Sequence, residues 1–177
     1  FSSSCVRGSS GAERSSSICV KLEMPVSGVF TSCATPAASN PIALVLPSLY
    51  SELENPALKH IVQVLKDIRY VNEIVISLDR ASALEFRLAK QFFSVLPQRV
   101  RIVWNDGAGI QDILKLLANT EIDTGLQGKG RGCWMAFGYV LARGQSNVIA
   151  LHDCDILSYN REYLARLCYP IVNTNLG

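Results

Sequence analysis

The chain has 177 residues, 49% hydrophobic and 18% charged, with a net charge of +2. That composition describes a globular chain able to bury one core and excludes a wholly disordered one. So small a net charge gives no argument for a nucleic-acid or anionic-membrane partner, and no apolar run reaches the ~20 residues of a membrane span.

Residues 1–40 differ from everything after them. Ser2–Ser4, Ser9, Ser10 and Ser15–Ser17, with scattered Gly and Ala, carry neither a helical nor a strand period. A disordered Ser-rich leader is expected here; Arg7, Arg14 and the scarcity of acids leave organellar import open. Phe1 stands where a natural chain would begin with Met, and Asn173–Gly177 has no mark of a domain end, so a fragment is expected. The cysteines, Cys5, Cys19, Cys33, Cys133, Cys154 and Cys168, form no C-x-x-C pair. They suit free, mostly buried thiols in a reducing, cytoplasmic setting.

Order is expected from Pro41 onward, as one domain over residues 41–177. Ile42–Leu46 is an apolar run closed by Pro47, the pattern of a strand buried on both faces. Asn55 caps a helix with Pro56 at its first position, and Leu58, Ile61, Val62 and Leu65 form its apolar stripe. Glu73–Leu78 predicts a second strand. Ser82 and Glu85 make a capping box for a helix carrying Leu84, Leu88, Phe92 and Val95. Val100–Trp104 is a third strand, ended by the turn signal Asn105-Asp-Gly107, and Ile110, Ile113, Leu114 and Leu117 mark the next helix. Thr120–Arg131 predicts a loop, and Cys133–Arg143 a helix with Trp134, Phe137 and Leu141 on one side. Val148–Leu151 is the last strand and Glu162–Cys168 the last helix.

Strand and helix alternate, which implies a mostly parallel sheet covered on both faces. Ligands of such folds bind beyond the carboxyl ends of the strands, so the loops after Leu46, Leu78, Trp104 and Leu151 should converge. Those loops carry Glu52, Asp79, Asp106, Asp153 and Asp155. Asp153 and Asp155, at the end of an apolar strand, are hard oxygen donors suited to Mg²⁺ or Mn²⁺ shared with substrate phosphates; otherwise they are turn caps. Gly128-Lys-Gly-Arg-Gly132 precedes a helix, so backbone N–H groups with Lys129 or Arg131 suit a phosphate, although Walker A spacing is absent. In the first loop, Pro47–Glu52, Tyr50 is available to a base and Glu52 to a base or ribose edge. His152 reads as a structural histidine or a support for the adjoining acids.

Taken in order, Leu44-Val-Leu-Pro-Ser-Leu-Tyr-Ser-Glu52, Glu73–Asp79, Gly128-Lys-Gly130 with Trp134, and Leu151-His-Asp-Cys-Asp155 resemble the nucleotide-sugar domain of family-2-like glycosyltransferases. These have the Rossmann-like GT-A fold, and the sequence is most similar to the glucosyl-3-phosphoglycerate synthase and mannosylglycerate synthase-like group. The resemblance runs from about Ile42 to Leu176. It implies that Pro47, Ser48 and Glu52 contact uridine, Asp79 the nucleoside, Lys129 the nucleotide and Asp153 the nucleotide sugar. Asp155, with Asp153, would hold Mg²⁺ or Mn²⁺.

The donor implied is UDP-glucose or GDP-mannose, the acceptor a small molecule such as 3-phosphoglycerate or glycerate, with retention of configuration and a homodimer in the full-length protein. Two departures stand out. The first loop reads Leu-Tyr-Ser-Glu where the family has Leu-Asn-Glu-Glu. The family's further metal-binding histidine and acceptor residues fall beyond Gly177, so the acceptor part is expected to be missing, and no catalytic residue is assigned. A donor-binding half without turnover, and a phosphatase with an aspartyl nucleophile, are the competing readings. The phosphatase motif normally follows the first strand and continues to Thr or Val, whereas here Ile156 and Leu157 follow.

Overall fold

Five strands and five α-helices alternate along the residues that the computed structural model describes, 17–21 and 40–173. In chain order they are β1 (Ser17–Lys21), β2 (Ile42–Leu49), α1 (Pro56–Leu65), β3 (Val71–Asp79), α2 (Ala83–Phe93), β4 (Arg99–Trp104), α3 (Ala108–Leu117), α4 (Lys129–Arg143), β5 (Val148–His152) and α5 (Arg161–Val172). A 3₁₀ turn, Tyr50–Glu54, joins β2 to α1. The sheet order is β1-β5-β2-β3-β4. From β5 to β4 every neighbour is parallel, and β1 closes the edge antiparallel to β5. This is the mostly parallel, Rossmann-like sheet that the alternating pattern predicts.

Within the stretch whose composition predicts a structureless leader, Ser17–Lys21 pairs along β5, from Ser17 opposite His152 to Lys21 opposite Val148. Its signal, Ser-Ile-Cys-Val-Lys, is a short alternation that the surrounding serines mask. Cys5 and Cys33 lie outside the described residues. The four described cysteines are free: Cys133, Cys154 and Cys168 are buried and Cys19 partly so.

Alternation along the strands divides the interior in two. Leu44, Leu46, Ile74, Ile76 and Ala150 face a core completed by Leu58, Ile61 and Leu65 of α1, Ala89 and Phe93 of α2, and Leu164 and Cys168 of α5. Ala43, Val45, Val75, Val103, Ile149 and Leu151 face a smaller cluster with Cys133, Ala136 and Val140 of α4. On that side α3 contributes Ile110 and Leu114 only in part and has no fully buried residue. Each fully buried Leu or Ile contributes about 1.5–3 kcal/mol of transfer free energy, so the first face carries most of the stability.

Two expected stripes differ. Phe92 of α2 packs against the core as expected, but Leu84, Leu88 and, just past the helix, Val95 are exposed, while Phe86, Ala89 and Phe93 turn inward. On α4, Trp134 and Leu141 are exposed and the inward side is Gly132, Cys133, Ala136 and Val140. Both helices dock on a side rich in small residues, which a count of large apolar side chains overlooks. The expected caps do form. Asn55 Oδ1 accepts from Ala57 N at 3.0 Å. Ser82 and Glu85 exchange hydrogen bonds, Ser82 N to Glu85 Oε2 at 2.7 Å and Glu85 N to Ser82 Oγ at 3.3 Å.

The strands end unevenly. β2 pairs with β3 as far as Leu49 opposite Asp79, but with β5 only as far as Val45 opposite Leu151. Pro47 lies inside β2 rather than ending it, beyond the point where β5 stops, in keeping with proline's confinement to places where ladder pairing is incomplete. The resulting step opens at the carboxyl end of the sheet.

Candidate functional site

A cleft of about 240 Å³ occupies that step. Its lining comes from four strand ends and one helix: Pro47, Ser48 and Leu49 at the end of β2 and Glu52 just after it; Ser77, Asp79 and Arg80 at β3; Asn105 after β4. Gly128, Lys129 and Gly132 come from the start of α4, and Asp153, Cys154 and Asp155 follow β5. Of the residues that the sequence nominated for nucleotide or metal, Pro47, Ser48, Glu52, Asp79, Lys129, Asp153 and Asp155 are in this lining. Tyr50 is not, because it packs against the first core. Arg131 and His152 also lie outside the lining.

At the β5 side, the turn Asp153–Asp155 folds over the free end of β2. Cys154 is buried against Ser48 and near Glu52, and burial pushes its thiol well above the usual range. Asp153 is buried and Asp155 exposed. Lys129 Nζ donates to Asp153 Oδ1. The helix therefore begins four residues before the expected Cys133, which puts Lys129 in its first turn. There the unpaired backbone N–H groups and helix dipole favour an anion. An ammonium has three donors, so Lys129 can keep Asp153 and still offer a proton to a phosphate oxygen. Just behind the turn, His152 is fully buried, with its ring nitrogens against Asp153 O and Tyr159 Oη, both at 3.1 Å. Burial depresses its pKa to about 4, which keeps it neutral at neutral pH. It fixes the turn rather than entering the cleft.

Among the described residues no group of three or more His, Cys, Asp or Glu side chains converges as a protein-only metal cage would. The two acids fit a different arrangement. Mg²⁺ is usually held by one or two carboxylates together with water and substrate phosphates, and Asp153 and Asp155 offer that many.

The β3–β4 side is braced differently. Asp79 Oδ1 accepts from Arg80 N and from Gln127 Nε2, both at 3.1 Å. Gln127 Nε2 also reaches Asp106 Oδ1 at 3.0 Å, and Asp106 Oδ2 accepts from Ala81 N at 3.0 Å. Asp106 is thus a brace outside the lining. Trp104 Nε1 donates to Ala81 O at 2.7 Å. These bonds hold Arg80 at φ 54°, the left-handed region, where it stands alone among the described non-glycine residues. Such a backbone costs about 1–2 kcal/mol in an L-residue. Glu52 has a similar structural duty, since its Oε2 accepts from Leu49 N at 2.8 Å and holds the 3₁₀ turn against β2.

Sequence reasoning missed Ser77, Arg80 and Asn105, and took Gly132 as part of the glycine-rich stretch without its packing role. Asn105 Nδ2 donates to Ser77 Oγ at 3.0 Å, while Asn105 Oδ1 is buried without a partner. Gly132 explains the glycine spacing better than Gly130 does. A Cβ at 132 would stand 2.8 Å from both Asn105 Nδ2 and Ser77 Oγ, whereas one at 130 would meet nothing within 4 Å. The available signal was a lone serine in the apolar run of β3, and a glycine one helical turn after Gly128.

No known family profile matches the chain. It is 46% identical over 135 residues to the glucosyl-3-phosphoglycerate synthase of Persephonella marina, an alignment covering 76% of this chain and 34% of that protein. It is 37% identical over 140 residues to the protein of the same name from Methanococcoides burtonii, covering 78% of this chain and 34% of the relative. The chain thus spans about a third of the length of the curated relatives it matches. No described helix is long and apolar enough to cross a membrane.

Proposed function

We propose, from its kinship with the glucosyl-3-phosphoglycerate synthases, that this chain carries the nucleotide-sugar donor site of a GT-A glycosyltransferase. The observation that carries the reading is the convergence of Pro47, Ser48, Glu52, Asp79, Lys129, Asp153 and Asp155, drawn from four separate segments, on one cleft. The donor's nucleoside lies toward β2 and β3, against Ser48, Glu52 and Asp79. Its diphosphate lies toward Lys129 and Asp153. Asp155, with Asp153, holds a Mg²⁺ or Mn²⁺ ion that would neutralise the departing diphosphate as a Lewis acid. Lys129 adds a fixed positive charge at a helix N-terminus, where a developing anion is best received. UDP-glucose and GDP-mannose are the donors considered, and 3-phosphoglycerate or glycerate the acceptors.

Calorimetric titration with UDP and with GDP, with and without Mn²⁺, tests the site. Metal-dependent binding by the native chain, lost in Asp153→Asn and in Asp155→Asn, is the expected result. Equal binding by both variants with and without Mn²⁺ would sink the assignment.

A second reading is donor binding without turnover. Incubating the chain with UDP-glucose, Mn²⁺ and 3-phosphoglycerate separates the two: glucosyl transfer or donor hydrolysis supports catalysis, and binding alone supports the second reading.

A further inference from the structure

Arg80 is left over by the donor site as drawn so far. It lines the cleft and its side chain is exposed. Its guanidinium makes no ion pair or hydrogen bond among the described residues, and its backbone is held in a conformation that favours glycine. Three hydrogen bonds around the turn Asp79–Ala81 enforce that conformation. A residue with a long charged side chain kept where glycine would be easier implies that the side chain is being aimed.

We propose that Arg80 is the nucleobase contact of the cleft, its guanidinium plane lying on the face of the donor's base. The inference rests on the donor-site reading above and deepens it. Position carries the first half of the argument. Asp153 and Asp155 follow β5, Arg80 follows β3, and β2 lies between them. Arg80 therefore borders the cleft on the far side of β2 from the acids, at the end of a nucleoside diphosphate opposite its phosphates.

Chemistry carries the second half. Among the described residues the lining contains no Phe, Tyr, Trp or His, so none of them offers a base an aromatic ring to stack on. The nearest aromatic pair, Phe86 and Trp104, is stacked on itself with centroids 4.8 Å apart. Arg80 offers the broad cationic plane of the lining, and a guanidinium lies flat on a π face, whereas a lysine ammonium meets one only as a point charge.

The test titrates the full chain with UDP, GDP and pyrophosphate in the presence of Mn²⁺, using Arg80→Ala, Arg80→Lys and Arg80→Gly. All three variants should lose about 2- to 30-fold in affinity for UDP and GDP, the range for a guanidinium on a π face, with pyrophosphate binding unchanged. Arg80→Gly should also unfold at the same or a higher temperature, because glycine accepts the left-handed backbone, which separates a lost contact from a damaged fold. Full nucleotide affinity in Arg80→Lys would assign the effect to charge and overturn the base contact. So would a parallel loss of pyrophosphate binding, or unchanged UDP and GDP binding in Arg80→Ala. If the native chain binds neither nucleotide, the donor-site reading itself falls and this inference with it.

Discussion

On one face of the sheet, α1, α2 and α5 seal a continuous core around Leu44, Ile76 and Phe93; on the other, α3 and α4 cover a smaller cluster and leave Ile113, Leu116, Trp134 and Leu141 substantially exposed. The difference lies in side-chain size as much as in number. The first face is filled by Leu, Ile and Phe, while α4 meets the sheet through Gly132, Cys133, Ala136 and Val140. Small residues let a helix backbone come close, and closeness brings the start of α4, with Gly128 and Lys129, over the strand ends. The well-filled face holds the protein together and the thinly filled one places its site.

The largest effect that would test this division is in the first core. Leu58→Ala on α1, at a fully buried position, should cost about 2–5 kcal/mol of unfolding free energy, measured by urea titration, with little change in nucleotide affinity per folded molecule. Next comes Gly132→Ala. Its Cβ would stand 2.8 Å from Asn105 Nδ2 and Ser77 Oγ, so either that side-chain pair or α4 must shift, at up to about 1–3 kcal/mol and with a measurable loss of UDP or GDP affinity. Gly130→Ala, with nothing within 4 Å of its Cβ, should bind as the native chain does; equal losses at 130 and 132 would break the contact argument. Ser82→Ala removes the cap of α2 and should lower stability by about 1 kcal/mol without touching binding. Smallest is Leu116→Ala on α3, 69% exposed, expected within about 0.5 kcal/mol of native. If it destabilises as much as Leu58→Ala, the second face is a stability face too and the comparison fails.

The same contrast decides how much was legible in the sequence. Strands buried on both faces write themselves as apolar runs, and acids after those runs fall at one end of a parallel sheet by topology alone. That is why Glu52, Asp79, Lys129 and Asp153 could be gathered before any geometry was known. Helix faces were harder. The periods of α2 and α4 hold and Phe92 does pack on the core, but Leu84, Leu88, Trp134 and Leu141, which bulk alone places on the apolar stripes, are exposed. Ala89, Ala136 and Gly132 mark the true inner sides through their smallness.

Tyr50 was offered to a base because it sits in the first loop; it serves the core instead. Arg80 left no pattern at all, since a positive φ on arginine is imposed by Asp79, Asp106 and Trp104, which meet only after folding. The edge strand Ser17–Lys21 escaped because its partner, β5, lies more than a hundred residues away and its neighbours in sequence dilute the pattern.

The uneven strand ends have a consequence for how such a site could be resized. Because β5 stops pairing at Val45 while β3 continues to Leu49, the cleft is as long as four residues of unmatched strand, roughly 13 Å at the usual rise. Its length is therefore written in backbone register, as a ruler, and its preferences in the side chains that border it. Substitutions along the border can retune what is recognised while leaving the length of the berth alone. Changing the length requires an insertion or deletion in β5, and a single added pair would shorten the berth by about 3.3 Å.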